Sequence, residues 1–265
     1  MLGALLGDMV GSRFEWHNYK AKDFEFCHAD CRITDDSVLT IATAQALLDS
    51  IPYGEAYRSW YRRYPQAGYG GRFADWAAGD SPEGYNSFGN GSAMRVAPVG
   101  WYGKTLDEVM TLARQSALPT HNHPEGIKGA QAVAAAIFLA RRGESKQQMK
   151  SWIEEAFSYD LAMTPDDIRP DYAFDVTCQG SVPQALVCFL HSSDVEDAIR
   201  TAVSIGGDSD TIASISGSIA EAFYGDVTGD LTQWCLTNLD HLQRQVVERF
   251  CHEVMGRAGS SGVPS

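Results

Sequence analysis

The sequence lacks any excess of positive charge: 21 Lys and Arg stand against 34 Asp and Glu, a formal net charge of −13, and no basic stripe is clustered along it. Such a chain repels a polyanion, so binding to a nucleic-acid backbone is not expected. Also missing is any stretch approaching 18 uncharged apolar residues, and the opening MLGALLGDMVGSRFEW has no basic region ahead of its short apolar run. Neither a membrane span nor a targeting segment is expected. The six cysteines, at 27, 31, 178, 188, 235 and 251, include no CxxC pair and are too sparse for a disulfide scaffold. They read as reduced thiols in a cytoplasmic protein. Cys27, His28 and Cys31 would suit a soft metal, but no second Cys/His cluster follows at zinc-like spacing. GxSxG, GxxxxGK[ST], GxGxxG after a strand, and HExxH are all absent, which removes serine-hydrolase, P-loop, nicotinamide-dehydrogenase and zincin readings.

What is present is core-forming material, with 44% hydrophobic and 11% aromatic residues in 265. Apolar periodicity is helical almost throughout and strand-like alternation is scarce, which predicts one all-α domain, a bundle of about ten helices. Helices are expected over 36–50, 105–117, 124–142, 145–157, 181–191, 194–204, 209–224 and 230–254. The run AQAVAAAIFLA is apolar on nearly every face, so 124–142 is expected at the centre. Loops are expected at 64–71, 79–92, 100–104, 118–124 and 158–180. The domain is placed at 1–257 and a disordered tail at 258–265.

Two acidic turns stand out, Thr34-Asp35-Asp36-Ser37 and Gly206-Gly207-Asp208-Ser209-Asp210-Thr211, each entering a predicted helix. Helix capping explains one carboxylate at each. Each turn has one carboxylate more than a cap needs, and a Thr hydroxyl besides. If the turns face each other, every like-charge pair at about 4 Å costs on the order of 4 kcal/mol at an effective dielectric near 20. Cations or protons must then be present, and oxygen-only ligands favour Mg²⁺ or Mn²⁺ over Zn²⁺. Phe88-Gly89-Asn90-Gly91-Ser92-Ala93-Met94-Arg95 is either a simple turn or a glycine loop whose amides converge on a phosphate. Thr120-His121-Asn122-His123-Pro124-Glu125 caps a helix, with two histidines placed to reach a ribose hydroxyl or a phosphate. Asp8 and Glu15 cannot be read from spacing alone.

Taken in order, these motifs resemble the ADP-ribosylglycohydrolase family, which includes the dinitrogenase reductase activating glycohydrolase. GALLGDMVGSRFEW is similar to that family's opening helix and loop, TDDSVLT to its first acidic motif and FGNGSAMRVAPVG to its phosphate loop. THNHPEGIKGA is similar to its His motif and GGDSDTIASISGSIAEAFYG to its second acidic motif, so the likeness spans residues 3–225. Ser37 and Ser209 stand where Thr is frequent in the family, and both keep the hydroxyl.

The resemblance implies an all-α orthogonal multi-helix bundle with two Mg²⁺ (or Mn²⁺) ions at the bottom of an ADP-ribose cleft. Residues Thr34, Asp35 and Asp36 would hold one ion, and Asp208, Asp210 and Thr211 the other, with a middle carboxylate able to bridge. Gly89, Asn90, Gly91, Ser92 and Met94 would cradle the diphosphate, His121 would contact ribose and phosphate, and Tyr69 and Gly70 would border the cleft. Glu15 matches the acidic residue of a mobile N-terminal loop, as base or gate. The implied reaction is hydrolysis at the anomeric carbon of the distal ribose of an ADP-ribosylated protein, with Asp36 or Glu15 as base. ADP-ribosyl-arginine is the preferred substrate and a monomer is expected. ADP-ribosyl-serine or O-acetyl-ADP-ribose hydrolysis, a two-metal cut of the diphosphate, and a non-catalytic ADP-ribose-binding module are the alternatives. The last is disfavoured because Asp35, Asp36, Asp208 and Asp210 are all present.

Overall fold

The computed structural model describes residues 1–225 and 227–256. Among them are fifteen α-helices: α1 Leu2–Gly11, α2 Asp35–Asp49, α3 Tyr53–Arg63, α4 Gly71–Ala78, α5 Gly91–Met94, α6 Ala97–Tyr102, α7 Leu106–Ala117, α8 Pro124–Arg141, α9 Lys146–Phe157, α10 Pro165–Ile168, α11 Cys178–Leu190, α12 Val195–Ser204, α13 Ser209–Tyr224, α14 Gly229–Thr237 and α15 His241–Phe250. A π-helical turn, Cys251–Met255, follows. No strand occurs among the described residues beyond an isolated antiparallel bridge between Gly89 and Thr177. The all-α class stands as expected, with more and shorter helices than the periodicity suggested. The proposed tail, 258–265, lies outside the described residues.

The differences have local causes. The expected helix 230–254 is broken at 238–240, where Asp240 caps a new helix: its carboxylate accepts from Gln243 N and the Gln243 side chain returns the bond. The expected loop 158–180 contains α10, closed by the same reciprocal cap between Thr164 and Asp167. The expected loop 100–104 is helical through Tyr102. Helices α3 and α4 went unanticipated because their buried stripes, Ala56–Tyr57–Trp60 and Phe73–Trp76–Ala77, sit among Arg, Tyr and Gly.

Two helices form the centre. Helix α8 buries Ala130 and the run from Ala132 to Phe138, and α13 is buried from Ser209 to Ala222. Helix α1 lies along α13 at backbone contact: a Cβ on Gly3 would overlap the Gly217 carbonyl, one on Gly7 the Ala213 carbonyl, and one on Gly11 the Asp210 backbone. Glycine every fourth residue puts the three bare positions on one face. Side chains flanking that face are thereby carried to the start of α13. The turn before α13 has Gly206 at φ +74° and Gly207 at φ +77°, a conformation that strains any L side chain.

Candidate active site

Asp8 projects from α1 and is wholly buried. Its Oδ2 accepts from Thr34 N and Ser37 N, each at 3.0 Å, and its Oδ1 accepts the Thr34 hydroxyl at 2.6 Å. These bonds fix the first turn of α2, where the Thr34 hydroxyl in turn accepts from Asp36 N at 3.3 Å. Carboxylate oxygens of Asp8, Asp36 and Asp210 lie within 4.8 Å of one another, as do those of Glu15, Asp208 and Asp210. The two acidic turns therefore face each other, with Asp210 common to both groups. Asn90 Nδ2 donates to Asp208 Oδ2 at 2.6 Å and to Ser181 Oγ at 2.9 Å, tying the glycine loop to the second turn.

Among the described residues no ion pair reaches any of these aspartates. Burial, reinforced by the Asp210 charge, pushes the Asp35 and Asp36 carboxyls well above the ordinary carboxylate range, and burial with Asp208 beside it does the same to Asp210. Asp8 is raised by burial against the pull of the hydrogen bonds from Thr34 and Ser37, Asp208 to about 6, and Glu15 to about 7, again by burial first. Asp36 Oδ1 is buried with no hydrogen-bond partner. A buried oxygen without a donor, amid all-oxygen ligands, fits a hard divalent cation.

The acids open onto a cavity of about 600 Å³. Its wall includes Glu15, Asp35, Asp36, Asp208, Asp210 and Thr211, then Gly89, Asn90, Gly91, Met94 and His121, and, at the border, Tyr69 and Gly70. Thirteen of the sequence-derived candidates thus share one wall. Thr34 and Ser92 do not line it. The Thr34 hydroxyl is turned to Asp8, and Ser92 Oγ donates to Gly126 O at 2.7 Å beneath the loop. The likeness grouped Asp35 with Asp36; here Asp35 borders the cavity but joins neither carboxylate triad.

The glycine loop is held open by the chain opposite. Asn90 N donates to Val176 O at 2.8 Å and Cys178 N to Phe88 O at 2.9 Å. A Cβ on Gly91 would stand 3.1 Å from His121 Nε2, so the bare loop and the imidazole meet across the cavity. His123 is the capping partner of the pair, its Nδ1 accepting from Glu125 N at 3.1 Å. Arg72, Tyr85, Trp16 and Phe174 also line the cavity, and nothing in their spacing marked them. Trp16 and Phe174 stack at 5.2 Å.

An all-helical chain that converges two acidic turns, a glycine loop and a histidine on one cavity defines a class of metal-dependent hydrolase. The family model for ADP-ribosylglycohydrolase matches residues 1–263, and the chain belongs to that family. It is 27% identical to human ADP-ribosylhydrolase ARH3, over 85% of this chain and 84% of ARH3. It is 25% identical to the ADP-ribosylarginine hydrolase Tri1 of Pseudomonas putida strain GB-1, over 94% of this chain and 76% of Tri1. A solved structure described as an ADP-ribosylglycohydrolase-related protein complex superposes with a TM-score of 0.70 at 25% identity, covering 94% of each chain. The chain is accordingly an ADP-ribosyl-acceptor glycohydrolase, acting on ADP-ribosylated substrates. No helix among the described residues is long and apolar enough to cross a membrane.

Proposed function

We propose that this chain hydrolyses the glycosidic bond between ADP-ribose and an arginine side chain, using two Mg²⁺ ions. The observation that carries the metal reading is the partnerless Asp36 Oδ1 amid Asp8 and Asp210. Asp8, Asp36 and Asp210 would hold one ion and Asp208 with Asp210 the other, with Glu15 beside the second and Thr34, Asp35 and Thr211 flanking them. When bound, the ions supply positive charge for the distal ribose hydroxyls and for the attacking water. Mn²⁺ fits the same donor set.

The chain's own residues do the rest. The loop Gly89–Met94 and His121 orient the diphosphate, and Tyr69 and Gly70 border the ribose. Glu15, half-buried in the cavity wall, receives the proton that water loses as its oxygen bonds to the anomeric carbon. The guanidine departs with the electron pair of the broken C–N bond and takes up the proton that Glu15 received. With a cation held beside it Asp36 would be ionised, its charge offsetting the oxocarbenium-like transition state. The name of Tri1 supports arginine as acceptor. Six unpaired cysteines support a cytoplasmic setting, and since one chain carries every residue named, we take the monomer as the active unit.

Arginine-linked and serine-linked ADP-ribosyl peptides and O-acetyl-ADP-ribose, incubated with Mg²⁺, Mn²⁺ or chelator, test this. Intact ADP-ribose from the arginine-linked peptide with Mg²⁺ is expected. Release from the serine-linked peptide alone overturns the acceptor, AMP as product overturns the glycosidic cut, and release in chelator overturns the metal.

A further inference from the structure

Arg95 follows α5 and is fully buried, its guanidinium 4.0 Å over the Tyr57 ring and without an acidic partner among the described residues. Its Nη2 donates to Ser116 O at 3.1 Å and to Thr120 Oγ1 at 2.7 Å. Thr120 is also fully buried, and its Oγ1 lies 2.7 Å from His121 Nδ1. We propose that Thr120, set by Arg95, is a positioning residue that keeps the His121 ring proton on Nε2, facing the glycine loop.

Donor counting carries this. A guanidinium only donates, so Arg95 occupies a lone pair of Thr120 Oγ1. The hydroxyl has one hydrogen of its own, and a buried hydroxyl hydrogen requires an acceptor. Its one other partner among the described residues is His121 Nδ1. Nδ1 therefore accepts, and the ring proton sits on Nε2. That nitrogen is the one 3.1 Å from a Cβ built on Gly91 and 3.6 Å from one built on Gly89. Burial first, then the charges of Arg95 and Arg72, hold the ring deprotonated, well below its usual pKa. The ring thus offers the cavity an N–H and never a bare lone pair, which would repel a phosphate oxygen.

The proposal rests on His121 as a contact to the diphosphate or ribose, but its first test needs no ligand. In ¹⁵N-histidine-labelled protein, long-range ¹H–¹⁵N spectra, assigned by loss of the signal in His121→Gln, are expected to place the proton on Nε2. Thr120→Val should bring Nδ1–H into the His121 signals, as should Arg95→Met, while Thr120→Ser restores the wild-type pattern. A wild-type ring protonated on Nδ1, or a Thr120→Val ring identical to wild type, overturns the relay. Should Arg95→Met fail to fold, the Thr120 pair decides the matter. Titration with ADP-ribose gives the second readout: Thr120→Val weakens binding about tenfold, Thr120→Ser by less than about twofold, and Thr120→Val adds nothing in a His121→Ala background. A ring that shifts as expected with an unchanged dissociation constant supports the relay and sinks the ligand contact instead.

Discussion

Asp8 and Thr34 are joined twice, the Thr34 amide donating to Oδ2 at 3.0 Å and its hydroxyl to Oδ1 at 2.6 Å. A side chain of the first helix thus acts as the N-terminal anchor of the second, and Asp36, two residues on, inherits its position from that anchor.

Asp8→Ala should therefore cost stability even without metal. It strands two backbone N–H donors and a hydroxyl, and a loss of about 2–4 kcal/mol is expected from urea unfolding in chelator, allowing for relief of like-charge repulsion. An unchanged unfolding midpoint would show that the anchor does not matter.

Asp36→Asn and Asp210→Asn should behave in the opposite way. Turnover is expected to fall by roughly 100-fold or more, while the metal-free protein melts at the same temperature as wild type or higher, because one member of a crowded buried acid group has lost its charge. Both the rate and the melting curve in chelator are needed. A lower melting temperature for both variants contradicts the crowding.

The same crowding predicts a linkage between pH and metal. A carboxyl with a raised pKa binds its proton more tightly folded than unfolded, so folding is favoured at low pH and weakened as pH rises through the folded values, about 6 for Asp208 and about 7 for Glu15. In chelator the melting temperature should fall as pH rises across that window, and Mg²⁺ should stabilise more at its upper end. A stabilisation by Mg²⁺ that shrinks with rising pH would contradict the assignment.

Gly7→Ala should damage a site it does not touch. The added methyl would overlap the Ala213 carbonyl, forcing α1 off α13 and carrying Asp8 with it. A destabilisation of about 2–3 kcal/mol is expected, and calorimetry should show weaker Mg²⁺ binding. Wild-type stability would mean that the seam is looser than its geometry.

Much of the site was legible because helix starts advertise themselves. Asp35, Asp36, Asp208 and Asp210 each sit in the first turn of a helix or at its cap, where one acid too many is visible in the sequence. Asp8 is not legible as a site residue from spacing: it lies inside an apolar helix, where the sole signal is a charge in GALLGDMVG. Its partners are set by tertiary contact, which spacing does not encode. Arg95 was likewise the last letter of a loop motif, though its burial and its link to Thr120 depend on α5 meeting the end of α7. The break at Asp240 was readable, since Asp240 and Gln243 form a capping box that the amphipathic pattern overrode.

Trp16 is 70% exposed, one residue from Glu15 and stacked on Phe174, whereas Trp60, Trp76 and Trp101 are buried and Trp152 and Trp234 are half-buried and do not line the cavity. The cavity consequently carries its own optical gauge. Indole emission from this rim will respond to arrival of a sugar nucleotide beneath it, so occupancy can be followed in real time without a label.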